Sequence, residues 1–142
     1  VAALYVKFET GFCSIIPYAI DGQSSFRIRD SKEVNGWYDG FAIRLWDNTW
    51  YHYVVTYNAR TETATAFING EVVAIMENVP TNRFVKRIMV GGDVFQPSMQ
   101  GNICEVIIYN EAKDHETIYN MHQDYVTRKD FMGFEIEDDI YK

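Results

Sequence analysis

The sequence predicts an all-β fold, an antiparallel β-sandwich with one short C-terminal helix. Three observations carry that prediction. Short runs of alternating apolar and polar residues recur along the chain, punctuated by Gly, Asn and Asp. Ten Tyr and nine Phe among 142 residues suit the pleated, half-buried surface of strands. A single helical pattern stands near the end, and the intervening helices that a parallel α/β sheet requires are missing.

The first strand is AALYVKF, with Leu4 and Val6 on one face and Tyr5 and Lys7 on the other. FCSIIPYAI gives a second, in which Pro17 marks an edge or a bend because it has no N–H for a ladder. Asp21-Gly22 is a turn signal, and SSFRIR resumes the alternation, Phe26 and Ile28 opposite Arg27 and Arg29. DSKEVNGWYDG, from Asp30 to Gly40, reads as a loop, since two Gly, an Asn and two Asp crowd it. FAIRLW is a further strand, and Asp47-Asn48 turns the chain.

WYHYVVTYNARTETATAFINGEVVA, from Trp50 to Ala74, reads as three successive strands. Ala59-Arg60-Thr61-Glu62 makes the first turn and Asn69-Gly70 a tighter one. In YHYVVTY, Tyr51, Tyr53, Val55 and Tyr57 oppose His52, Val54 and Thr56, the pattern of a strand covered on both faces. A loop with Pro80 leads to the strand FVKRIMVGG, and the loop GGDVFQPSMQG to NICEVIIYN, expected to be the clearest late strand. There Cys104, Val106 and Ile108 share one face, and Ile103, Glu105, Ile107 and Tyr109 the other.

Asp114 is placed to cap a helix, with Glu116 in the electropositive first turn. Ile118, Met121 and Tyr125 recur at helical spacing and are expected to dock on the sheet. Residues 1–126 then form one domain and 127–142 a charged extension, with no internal repeat and no low-complexity linker.

A net charge of −7 disfavours a phosphate backbone as partner, and no basic stripe is visible along the sequence. The densest basic cluster, Arg83, Lys86 and Arg87, reads as solvated charges at a sheet edge. Cys13 and Cys104 are too few for a disulfide framework or a zinc site; they are two small buried hydrophobes, or a single bridge in an oxidising compartment. No apolar run is long enough to span a bilayer, so membrane insertion is not expected, and no signal peptide is present. A chain opening on Val1 is expected to be a processed protein or a piece of a longer one.

Four pieces in order resemble the laminin-G-like modules of the concanavalin A-like lectin/glucanase superfamily. They are Trp50 and His52 in TWYHYVVTYN; Asn69-Gly70 in TATAFINGEVVA; Gly91; and Gly101 with Ile103, Val106, Ile108, Tyr109 and Asn110, followed by a helical start at Glu116 to Tyr119. The resemblance covers roughly Leu4 to Tyr119 and implies a jelly roll of two curved antiparallel sheets. It also implies an extracellular, cell-surface or virion-surface setting and a structural role for His52. AALYVKF matches the family's second or third strand, so an edge beside it is expected to be filled by an upstream segment or a partner chain.

Catalysis finds little support. The glycosidases of the superfamily carry alternating carboxylates on one strand, where a nucleophile and an acid flank the sugar bond. The one lookalike is FEIEDDI, with Glu135, Glu137 and Asp139, and it falls beyond the matching segment. His52, His115 and His122 do not cluster in sequence, and no nucleophile elbow accompanies them.

The resemblance implies calcium as the one candidate cofactor, with Asp39, Asp47 and Asp93 as turn carboxylates able to supply oxygens. Each also suits a turn by capping local amides. Sugar recognition needs flat aromatic faces and polar groups beside them. NGWYDG offers Trp37, Tyr38 and Asp39, and Trp46 with Asp47 and Asn48 makes a second candidate. The expected function is a non-catalytic, glycan-binding module. The alternative is a structural or adhesion domain contacting neighbouring subunits in a larger assembly, such as a virion surface or tail protein or a cell-surface protein.

Overall fold

The structure, a computed structural model, describes residues 2–8, 11–17, 25–29, 37–39, 45, 48–79, 85–92 and 99–127, with the backbone alone described at 25–29 and 37–39. The strands are β1 (Leu4–Phe8), β2 (Phe12–Ile16), β3 (Ser25–Arg29), β4 (Trp37–Asp39), β5 (Tyr53–Asn58), β6 (Thr63–Ile68), β7 (Glu71–Met76) and β8 (Val85–Val90), followed by the helix α1 (His115–Thr127). They form two antiparallel sheets, of order β4-β3-β2-β1-β8 and β5-β6-β7. Two antiparallel sheets and one C-terminal helix are the elements of the expected β-sandwich. The chain leaves the first sheet after β4, builds the second in sequence order and returns as β8 beside β1.

The residues fall into two compact units, 1–45 with 80–107, and 46–79 with 108–142. In the first, β1 is paired on both sides, with β2 and β8, so the flank expected to be filled by an upstream segment or a partner chain is filled by β8 of this chain. Among the described residues its hydrophobic core is Ala2, Tyr5 and Phe12, with Ile16 and Met89 packed against them. The register explains the grouping: Met89 is opposite Tyr5, and Ser14 is opposite Tyr5 on the other side, so these side chains share one face. The Tyr5 and Phe12 rings lie 5.1 Å apart at a 30° tilt. Cys13 and Cys104 are half-buried thiols.

In the second unit, β6 is the central strand, and Ala64, Ala66, Phe67 and Ile68 along it are buried. The wide turn forms as expected, because Asn58 Oδ1 accepts the N–H groups of Arg60 and Thr61. Asn69 and Gly70 carry φ of 51° and 82°, the paired left-handed conformations of a tight hairpin turn. Beyond β7, Val79 is fully buried; its N–H donates to the Glu62 carbonyl at 2.8 Å and its own carbonyl accepts the Tyr57 hydroxyl at 2.6 Å.

The helix begins where Asp114 predicts. Its Oδ1 accepts the Thr117 N–H at 2.8 Å, and hydrogen bonding from the Thr117 side chain first, then from this N–H, holds the carboxyl below its ordinary range. Of the expected stripe, Ile118 is fully buried, whereas Met121 and Tyr125 are half-buried.

Two expectations are corrected. The Asp30–Gly40 stretch is not a loop throughout, because Trp37–Asp39 forms β4. Its aromatic residues have a ready strand partner in β3, and that pairing outweighs the flanking Gly and Asp. Conversely, NICEVIIYN is not a strand: residues 102–109 have no ladder partner among the described strands. Alternation supplies two faces but no neighbour, and this segment is where the chain passes from the first unit to the second, at Ile107 and Ile108. The Asp21-Gly22 turn, most of FAIRLW and the extension past Thr127, with Glu135, Glu137 and Asp139, lie outside the described residues.

Candidate functional site

Among the described strands β4 lies at the edge and pairs with β3 alone, with Trp37 opposite Arg29, Tyr38 opposite Ile28 and Asp39 opposite Arg27. Opposed residues share a sheet face and successive residues alternate. Positions 37 and 39 therefore lie on one face and position 38 on the other, so Trp37 and Tyr38 are not neighbours on one platform. Following the register inward gives two sets. One face holds Leu4, Val6, Cys13, Ile15, Phe26, Ile28, Tyr38, Ile88 and Val90, apolar from edge to edge. The other holds Tyr5, Lys7, Phe12, Ser14, Arg27, Arg29, Trp37, Asp39, Arg87 and Met89.

By register this second face, which holds the buried Tyr5, Phe12 and Ser14, also includes four basic positions among the described residues, 7, 27, 29 and 87, in a chain whose acids outnumber its bases 20 to 13. Linear sequence gives no sign of it, because the four residues come from three strands spread between positions 7 and 87. Lys7 and Arg87 are exposed, as expected of charges near an edge, and between them and β3 the face is closed by buried Phe12 and Ser14.

Of the second candidate, Asn48 is exposed in a turn with φ of 56°, a conformation Asn tolerates better than most residues. Trp46, Asp47 and Asp93 lie outside the described residues. Among the described residues no group of three or more His, Cys, Asp or Glu comes together as a metal site.

The histidines, scattered in sequence, converge on the Asn-Gly turn of the second unit. His52 N–H donates to Asn69 Oδ1 and Asn69 N–H donates to the His52 carbonyl, both at 2.9 Å. His122, 1% exposed, stacks on His52 with ring centroids 6.0 Å apart, and Tyr125 tilts against His52 at 5.1 Å. His115 Nε2 lies 2.9 Å from the Gly70 carbonyl, an acceptor, so that nitrogen carries the hydrogen. A side chain at Gly70 would meet the Tyr119 backbone at 3.2 Å, which makes glycine the residue that lets the helix lie on the turn. Trp-x-His and Asn-Gly, the most legible signals in the sequence, are thus two halves of one structural joint.

Among the described residues, no helix is long and apolar enough to cross a membrane. A laminin-G family model described as concanavalin A-like lectin/glucanases superfamily matches residues 4–119. A comparison with curated proteins finds no match. A crystal structure of an S-layer domain-containing protein (residues 221–444) from Clostridium thermocellum is similar at a TM-score of 0.43 and 20% identity, over 80% of this chain and 57% of that one.

Proposed function

The chain belongs to the concanavalin A-like lectin/glucanases superfamily, and from that premise we propose that it is a non-catalytic binding module whose ligand is a glycan. The observation that carries this reading is β4, at the edge of the described strands and bearing Trp37 and Asp39 on one face. An indole takes the apolar side of a pyranose, and a carboxylate accepts from its hydroxyls. Tyr38, on the opposite face, belongs to the apolar set and contributes to the site by fixing the strand. Trp46 and Asn48 form a separate, weaker candidate. The module works outside the cell, at a cell or virion surface. A glycan array tests the reading: the chain binds at least one saccharide, Trp37→Ala abolishes the signal and Tyr38→Ala weakens it less. Binding to no saccharide removes it.

A second reading, a contact module of a larger assembly, is favoured by one observation. Val106, Ile107, Ile108 and Tyr109 are 39–58% exposed in a row, an apolar stretch of the kind that subunit contacts cover. Calcium bound through Asp39, Asp47 and Asp93 is a further proposal. Bound ion stabilises the folded state by mass action, so the thermal midpoint rises with millimolar calcium and returns with chelator; an unchanged midpoint removes the ion.

A further inference from the structure

We propose that two copies of this chain associate by strand addition, the acidic segment Phe134 to Asp139 of one copy pairing antiparallel with the β8 edge of the other. The inference does not depend on the glycan reading. Among the described strands β8 pairs with β1 alone, so its second row of backbone N–H and C=O groups faces no strand among them. An open edge of that kind is a template for another strand. Its side chains are uncovered as well. Val85, Ile88 and Val90 are 58%, 45% and 52% exposed, and Lys86 and Arg87 between them are exposed too. Three β-branched side chains in water along one edge strand mark a contact surface.

Charge and alternation name the occupant. A strand that fits this edge brings carboxylates to Lys86 and Arg87 and apolar residues to Ile88 and Val90. A second β8 fails the first requirement, because it brings the cations of both copies onto one ladder. FEIEDDI, which lies outside the described residues, meets both, with Phe134 and Ile136 alternating with Glu135 and Glu137 before Asp138 and Asp139. With Ile136 set opposite Ile88 in an antiparallel pair, Phe134 falls opposite Val90, Glu137 opposite Arg87 and Asp138 opposite Lys86. Opposed residues share a face. The two apolar pairs therefore continue the face on which Leu4 is opposite Val90 and Val6 opposite Ile88. Glu137 joins the other face, where Lys7, opposite Arg87, is also exposed. A slip of one residue in either direction sets a glutamate opposite Ile88, so the register is specified. The segment comes from a second copy because the β8 side chains stay exposed in the single chain. Each copy carries both halves of the contact, and mutual exchange closes a two-fold dimer.

Sedimentation velocity of the whole chain over a rising concentration series reads the association. The chain passes from monomer to dimer, and amide hydrogen exchange in β8 and in residues 134–139 slows as it does. Arg87→Glu and Glu137→Arg each raise the dimer dissociation constant about tenfold, because each sets like charges opposite one another. Arg87→Glu/Glu137→Arg brings it back. Arg60→Glu, the same change of charge at an exposed position in the wide turn of the second unit, leaves it unaltered. Salt weakens the dimer of the unmodified chain by screening the paired charges. Far-UV circular dichroism checks that each variant is folded, and the salt and exchange measurements test the contact even where a variant is not. A chain that stays monomeric at every concentration, with the segment docked on its own copy or β8 kept for another protein, overturns the proposal. So does a dimer that ignores salt, protects other strands, or is not restored by the double reversal. None of these outcomes bears on the glycan array.

Discussion

In the first unit the buried side chains are aromatic rings on neighbouring strands, Tyr5 against Phe12, with Met89 from β8 alongside. In the second they are the small residues of β6, with Phe67, Ile68 and a helix that sets Ile118 and His122 into the interior. The second unit holds His52, Asn69 and Gly70 of the family's pattern, and their hydrogen bonds and packing make them scaffold. The first has the weaker sequence signature and includes β4, whose Trp37 and Asp39 are the residues proposed for a ligand. Strong motifs mark positions where the backbone admits few alternatives. Ligand residues are free to differ, so they leave a fainter mark.

Substitutions separate the two units, beginning with the largest effect. Ile118→Ala removes a fully buried side chain and lowers stability by about 2–5 kcal/mol, read by urea denaturation with helical circular dichroism. A loss under about 1 kcal/mol would mean that the helix is an appendage to its unit rather than its cover. Gly70→Ala and Gly91→Ala form the next pair, since both glycines have positive φ, 82° and 76°. The left-handed conformation alone costs about 1–2 kcal/mol at each. At Gly70 the new methyl also meets Tyr119 backbone at 3.2 Å, whereas at Gly91 the nearest atom is Ile103 Cδ1 at 3.9 Å, an ordinary contact. Gly70→Ala is therefore the more destabilising, and equal midpoints would deny the close helix contact.

Tyr57→Phe is milder. It removes the 2.6 Å bond to the Val79 carbonyl and costs about 0.5–1.5 kcal/mol in the same assay, within the second unit alone.

Acid titration gives a smaller effect with a definite sign. The Asp114 carboxyl is held below its ordinary range by its bonds to Thr117, so the unfolded chain binds a proton more readily than the folded one. The cap's contribution is present above the ordinary carboxylate range and is lost as pH falls through the lowered value. Asp114→Ala removes that part of the acid limb of a helix-monitored pH titration; an unchanged limb would break the assignment. Smallest is the exposed pair Glu111 and Lys113, 2.8 Å apart, where Glu111→Gln leaves the midpoint within error because solvent and salt screen the pair.

Particular elements show how far the sequence could be read. The Asn69-Gly70 turn was legible because few dipeptides accept two positive φ angles, and the helix start because Asp114 serves amides a turn away. Strands β1, β2, β3, β5, β6, β7 and β8 followed from alternation and turn chemistry. β4 was hidden by the Gly and Asp around it, and NICEVIIYN misled because alternation says nothing of a partner. Of the candidate site, Trp37, Tyr38 and Asp39 were legible from composition, but not that position 38 lies on the opposite face from 37 and 39, which depends on the pairing with β3.

Sequence by itself determined the class of fold, most strand positions, the wide and the tight turn of the second unit and the helix cap, all of which depend on dihedral preferences and contacts within a few residues. Tertiary structure alone decided that β8 lies beside β1, that His52 meets His122, and that four basic positions among the described residues share one face with Trp37. Each of those depends on register between segments far apart in the chain, and a shift of one residue would send every side chain of a strand to the other face.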